Sequence, residues 1–201
     1  MKQNTGWSFC RRQSSYPRIL YSRSYIFAVP FAECLFPRSI QPKRIEAQID
    51  KYGEARVNIK IFEEPYRDDL IFMVLQAKDA LGRKPRISED LLDIKSSYLD
   101  HGDAFWIAVD TNDRVIGCIG YSRIGESDEA FLHRLYVKVA NKHTGIGTKL
   151  LTVAEASMKA RGINVARVHL GEPREQWFES YSFYPKNGYK EYAPRYMMKR
   201  L

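Results

Sequence analysis

The residues best suited to chemistry lie together in Leu132-His-Arg-Leu-Tyr-Val137, a four-residue connector, and Lys142-His-Thr-Gly-Ile-Gly-Thr-Lys-Leu-Leu151. An apolar strand pattern ends there, a loop carries Gly145 and Gly147, and a long amphipathic pattern begins. Such a junction makes an anion site: the first amides of a helix have no intrahelical acceptor, and the helix dipole adds partial positive charge. Glycines let the backbone approach a pyrophosphate closely, and Lys142 with Lys149 adds formal charge. Taken alone, a Gly-x-Gly pair also serves as a tight strand-to-helix turn. Two nucleotide motifs are disfavoured. A Walker loop needs four residues between its glycines and Lys-Ser/Thr after the second, and the dinucleotide fingerprint needs a third glycine where this chain has Leu150.

The elements that must position this loop follow from periodicity. Val57-Asn-Ile-Lys-Ile-Phe62 alternates as a half-buried strand does. Leu70, Val74, Ala77 and Leu81 recur at helical spacing until Gly82 and Pro85, and Ser88 with Asp90 opens a second helical stretch through Tyr98. Phe105 to Val109 and Arg114 to Tyr121 flank Asp110-Thr-Asn-Asp113, a hairpin turn, and Phe131 to Val137 continues an antiparallel meander. Thr144 to Arg161 is the strongest helical pattern, with Ile146, Leu150, Val153, Ala154 and Met158 on one face and Gly162 as its stop. Val165 to Leu170 reads as a strand, Glu172 to Lys186 as a helix, and Tyr189 to Leu201 as one or two strands. This order predicts an α/β (α+β) sandwich in which the strands flanking the Gly145 helix run parallel.

The formal charge of +8 and pI near 9.3 suggest a nucleic-acid partner until they are divided along the chain. Residues 1–44 hold eight Lys/Arg and one acid, Glu33, whereas the remainder is nearly balanced. A basic leader therefore carries the charge. Trp7, Phe9, Tyr16, Tyr21 and Tyr25 interleave with it, the only support for single-stranded nucleic-acid binding, and no nucleic-acid partner is expected of the body. Residues 1–56 are read as a basic extension, whose Arg- and Ser-rich composition suits disorder, a transit peptide or a mis-assigned start. Cys10, Cys34 and Cys118 have no metal-ligand spacing, so a reduced, cytoplasmic setting and no metal are expected. The longest apolar run, Ile26 to Phe36, is too short to cross a bilayer, and no membrane association is expected.

Lys142-x-x-Gly145-x-Gly147 after Leu135-Tyr136-Val137 resembles the acyl-CoA pyrophosphate loop of the GNAT superfamily of N-acyltransferases, usually Arg/Gln-x-x-Gly-x-Gly/Ala. Downstream, Phe183-Tyr184-Pro-Lys-Asn-Gly188-Tyr189 resembles that family's second landmark, in the right order and at the right separation. The resemblance spans residues 57–201. It implies a GNAT-like mixed, mostly antiparallel sheet flanked by helices, with a splayed parallel strand pair at the cofactor site. It further implies transfer of an acetyl group from acetyl-CoA to a primary amine of a small molecule or peptide. Leu135, Tyr136, Val137, Lys142, His143, Thr144, Gly145, Ile146, Gly147 and Thr148 would hold the co-substrate, and edge groups of Leu135 and Val137 would pair with the pantetheine arm.

The same resemblance makes Tyr184 the acid that protonates the departing thiolate. Many family members carry a strand-four Glu as base or water-holder, and here the corresponding position is Phe131. His133 shares its face and Glu129 begins the strand, so these are the candidate bases. Trp177 stands near the place of a frequent CoA-contacting Asn and is read as packing, and His169 is read as structural. In the family the acceptor pocket is built by the first two helices and their loop, here residues 65–101, where Arg83, Lys84, Arg86, Glu89, Asp90 and Asp93 give mixed charge. The missing Glu leaves a second reading, an acyl-CoA-binding regulatory module with little turnover, and homodimer formation stays open.

Overall fold

A computed structural model describes residues 57–201, so the reading of residues 1–56 lies outside the described residues. The strands form one seven-stranded sheet in the order β1-β2-β3-β4-β5-β7-β6. They are β1 (Asn58–Ile61), β2 (Ala104–Val109), β3 (Val115–Arg123), β4 (Glu129–Val137), β5 (Val165–His169), β6 (Lys190–Ala193) and β7 (Tyr196–Arg200). All neighbours are antiparallel except β4 and β5, the parallel pair that the strand-helix-strand order predicts. The β2–β3 turn closes as its sequence suggests: Asp110 Oδ1 accepts the Asn112 and Arg114 amides at 2.8 and 3.0 Å.

Helix α1 (Arg67–Asp79) buries Leu70, Met73, Val74 and Ala77 on one side of the sheet. Helix α3 (Ile146–Ala160) buries Ile146, Leu150, Leu151, Ala154 and Met158, and joins a core containing Trp106, Tyr121, Leu132, Val168 and Met197. The expected second helix over 88–98 is instead a 3-10 turn at Glu89–Leu91, one short helix α2 (Ile94–Ser97) and a further 3-10 turn at Leu99–His101. Asp93 interrupts it: its backbone leaves the helical region and its carboxylate caps the Ser96 amide at 2.9 Å. Leu91, Ile94 and Tyr98 are still buried, so the apolar spacing served packing without a continuous helix. The last helix is also shorter than its pattern. Pro173 is extended, a 3-10 turn covers Arg174–Gln176, and α4 runs Phe178–Lys186 because Trp177, at φ −121°, does not continue a helix.

Two irregularities in β4 position the site. Its pairing with β5 covers only Glu129, Ala130 and Phe131, although both strands continue, so a wedge opens between Leu132–Val137 and the end of β5. In addition, His133 lies opposite Gly120 and Tyr136 opposite Cys118, which sets Arg134 and Leu135 together against Ile119 as a β-bulge. Arg134 takes φ +54° there, and its carbonyl accepts the Cys118 Sγ–H at 3.0 Å. No helix among the described residues is long and apolar enough to cross a membrane.

Candidate active site

Gly145 stands at the N-terminus of α3 with φ +82°, a conformation that a side chain would strain. The first intrahelical bond runs from the Lys149 amide to the Gly145 carbonyl at 2.9 Å, so the amides of Ile146, Gly147 and Thr148 precede any helical acceptor. Thr144 Oγ1 donates to the Asn141 carbonyl at 2.7 Å and fixes the loop behind them. The Lys142 ammonium is engaged with Glu179 of α4 at 2.8 and 2.9 Å, so its charge is locally offset, and the backbone is left as the main positive feature of the loop. Glu179 is a partner that spacing along the chain did not reveal.

From this loop a cavity of about 1200 Å³ runs through the wedge between β4 and β5. Its walls include Leu135, Tyr136, Val137, Lys142, His143, Gly145, Gly147 and Thr148, together with Tyr184 and His133. Thr144 and Ile146 belong to the same loop without lining the cavity, Ile146 because it is buried in the core. Arg83 closes one side. Its guanidinium lies 3.7 Å over the Trp177 ring and donates to the Gln176 carbonyl at 2.9 and 2.7 Å, tying the loop after α1 to the segment before α4. Trp177 can sit there because residue 171 is glycine, where a Cβ would collide with the indole.

Tyr184 is buried, with Phe183 and Tyr189 edge-on at 5.4 and 5.2 Å. Burial pushes its phenol well above the ordinary 10, which keeps the proton on oxygen. Among the described residues no polar side-chain atom is both buried and unpartnered and none bonds the Tyr184 hydroxyl, so it faces the cavity.

His133 lies where this cavity meets a second one of about 610 Å³, lined by Lys78, Arg86, Ser88, Glu89, Asp90 and Tyr98. Its ring contacts Tyr98 and Phe131 at 6.2 and 6.4 Å. Burial first, and then the Arg134 charge, hold the imidazole below its ordinary 6.5, so it is neutral at pH 7. Arg134 itself is clamped by Asp90 at 2.8 and 2.7 Å, and Asp90 also accepts the Tyr98 hydroxyl at 2.5 Å. Burial opposes the Asp90 charge, yet these bonds keep its carboxyl below the ordinary range.

Glu129 is not brought to this point. It sits at the far end of β4 in a bidentate pair with Arg167 at 2.6 and 2.8 Å, which depresses its basicity, and it lines neither cavity. The mixed-charge segment is also divided: Arg83 lines the large cavity, Arg86, Glu89 and Asp90 the smaller, and Lys84 and Asp93 neither. No group of three or more His, Cys, Asp or Glu among the described residues is disposed to hold a metal.

Comparison with known proteins adds a family match and shared folds to this geometry. Residues 101–191 match the family model of the acetyltransferase (GNAT) domain. That segment is similar to the GNAT acetyltransferase domain. An acetyltransferase of the GNAT family from Staphylococcus aureus Mu50 shares its fold at a TM-score of 0.67 and 23% identity, over 73% of this chain and 99% of that one. The PaiA N-acetyltransferase of Thermoplasma acidophilum, solved with coenzyme A, gives 0.57 and 24%, over 73% and 99%. A GNAT family acetyltransferase from Brucella melitensis, solved with acetyl-CoA, gives 0.54 and 18%, over 74% and 90%. No curated protein matches the sequence. The GNAT match and fold support acyl transfer as the general chemistry of the domain.

Proposed function

We propose that the domain transfers an acetyl group from acetyl-CoA to a primary amine. The observation that carries this reading is the single cavity whose walls include the amide-rich loop at Gly145 and Gly147, the Tyr184 hydroxyl and the His133 ring. The polyphosphate of the co-substrate would lie against the α3 N-terminus, where backbone donors and the dipole favour an anion. The pantetheine arm would follow the wedge, with Leu135 and Val137 of β4 unpaired toward β5. Neutral His133 would accept the proton that the amine loses on attacking the thioester carbonyl. As the carbon–sulfur bond breaks, the Tyr184 phenol would return a proton to sulfur, leaving free CoA and an amide. Glu129, held by Arg167, has no part in this scheme.

The test is release of CoA from acetyl-CoA over a panel of amines, with product mass measured in parallel. Amine-dependent CoA release with an acetylated product supports the reading. Tight binding of acetyl-CoA without turnover on any amine overturns it in favour of an acyl-CoA-binding regulatory module.

A further inference from the structure

Along the outer face of β4, β5, β7 and β6, aromatic rings extend away from His133 in a continuous row. Phe131 lies 6.4 Å from His133 and, edge-on, 6.4 Å from Tyr196. Tyr196 stacks on His169 at 4.4 Å with 17° between the planes, and Tyr192 follows at 6.0 Å. Sheet register builds the row: Phe131 pairs with Arg167 across β4 and β5, and His169 pairs with Tyr196 across β5 and β7. The alternate residues Ala130, Leu132, Ala166, Val168 and Met197 face the core, which turns these rings outward. Phe131, His169 and Tyr196 line the same cavity as Tyr184 and the α3 loop.

We propose that this row is the acceptor subsite and that it selects a primary amine carried on a planar aromatic group. The inference rests on the reading of the cavity as an acetyl-transfer site and adds the class of acceptor. Rings of the protein offer faces and edges that complement another ring. The nearby cation, Arg167, is bound bidentately to Glu129 and lies 4.7 Å over Tyr192, so an anionic acceptor finds its charge already taken. The smaller cavity offers the opposite chemistry: Lys78, Arg86, Glu89 and Asp90 would suit a charged acceptor. Of the two, the aromatic row is the one that shares a cavity with the α3 loop and Tyr184.

The experiment uses the full chain with 2-phenylethylamine, hexylamine and glutamate, reading kcat/KM by CoA release and amine binding by calorimetry with CoA present. The expected result is a preference of about tenfold for 2-phenylethylamine over hexylamine. Tyr196→Leu should raise the KM and Kd for 2-phenylethylamine about tenfold with the KM for acetyl-CoA unchanged, and Tyr196→Phe, which keeps the ring, should restore both. Equal use of hexylamine, an unaltered KM in Tyr196→Leu, or a preference for glutamate lost in Arg86→Ala overturns the proposal, the last by moving the acceptor to the smaller cavity. If no amine is acetylated while 2-phenylethylamine still binds in a Tyr196-dependent way, the transfer reading falls and the aromatic subsite stands. Absence of that binding sinks the subsite.

Discussion

At the α3 end of the cavity the proposed binding groups are backbone amides of consecutive residues, Ile146 to Thr148, set by a glycine at φ +82°. At the β4 end they are side chains from distant parts of the chain: His133, Tyr184 and Tyr196 line one cavity only because β4, β5 and β7 pair and helix α4 packs beside them. The first arrangement tolerates wide change in side chains and little in backbone. The second is the reverse, since a ring or a hydroxyl can be removed while the strand that carries it stays paired. Substitutions at the two ends should therefore separate co-substrate binding from chemistry.

The largest effect is expected at the backbone end. Gly145→Val with Gly147→Val places a β-branched residue at positive φ, a strain of about 1–2 kcal/mol, and puts a side chain where a bare Cβ already lies 3.4 Å from the Phe183 ring. Loss of two or three charge-assisted amide bonds should weaken acetyl-CoA binding on the order of 10³-fold. Calorimetry on a variant with unchanged circular dichroism is the check, and undiminished affinity would remove the loop from the binding site.

The same contrast governs what the sequence could reveal. The α3 loop was legible as a strand-to-helix junction because its residues, Lys142 through Thr148, are neighbours along the chain, and the parallel β4–β5 pair followed from the helix between them. The charge expected of Lys142 was not legible as a spent one, since Glu179 reaches it from another helix. Glu129 drew notice as an acid in the right strand, but only the register with Arg167 shows it occupied. The aromatic row escaped notice because Phe131, His169 and Tyr196 share a face through pairing between strands that lie far apart in the sequence, and no period in the sequence encodes that. The broken second helix failed for a local reason: apolar residues three and four apart also suit successive short turns when an Asp caps midway.

A smaller effect, confined to turnover, is expected at Tyr184. Tyr184→Phe keeps the ring contacts with Phe183 and Tyr189 and removes the hydroxyl that faces the cavity. Acetyl-CoA affinity should hold while kcat drops roughly 10²-fold or more, the scale for loss of a positioned acid. Lost affinity with normal turnover would make Tyr184 a packing residue and erase the distinction between the two ends.

The smallest effect concerns His133, through pH. Burial and the Arg134 charge lower its proton affinity, Asp90 and Asp103 partly counter them, and the imidazole stays neutral until pH falls below the ordinary histidine value of 6.5. Because the proposed scheme has the neutral form accept the proton, kcat/KM should carry an acid limb below 6.5 that His133→Gln abolishes. At neutral pH that variant should lose about tenfold, less than the 10²–10⁴ of general-base catalysis, because water can take the proton from an amine more readily than it can supply one to a buried thiolate. Folding responds in the same direction. The folded state binds this proton less readily than the unfolded chain, so stability is full above about 6.5 and declines as pH falls from there through the lowered native value. Urea unfolding at each pH separates the two: a limb that follows stability and persists in His133→Gln would assign it to unfolding, and one that vanishes with the imidazole in a folded enzyme assigns it to the base.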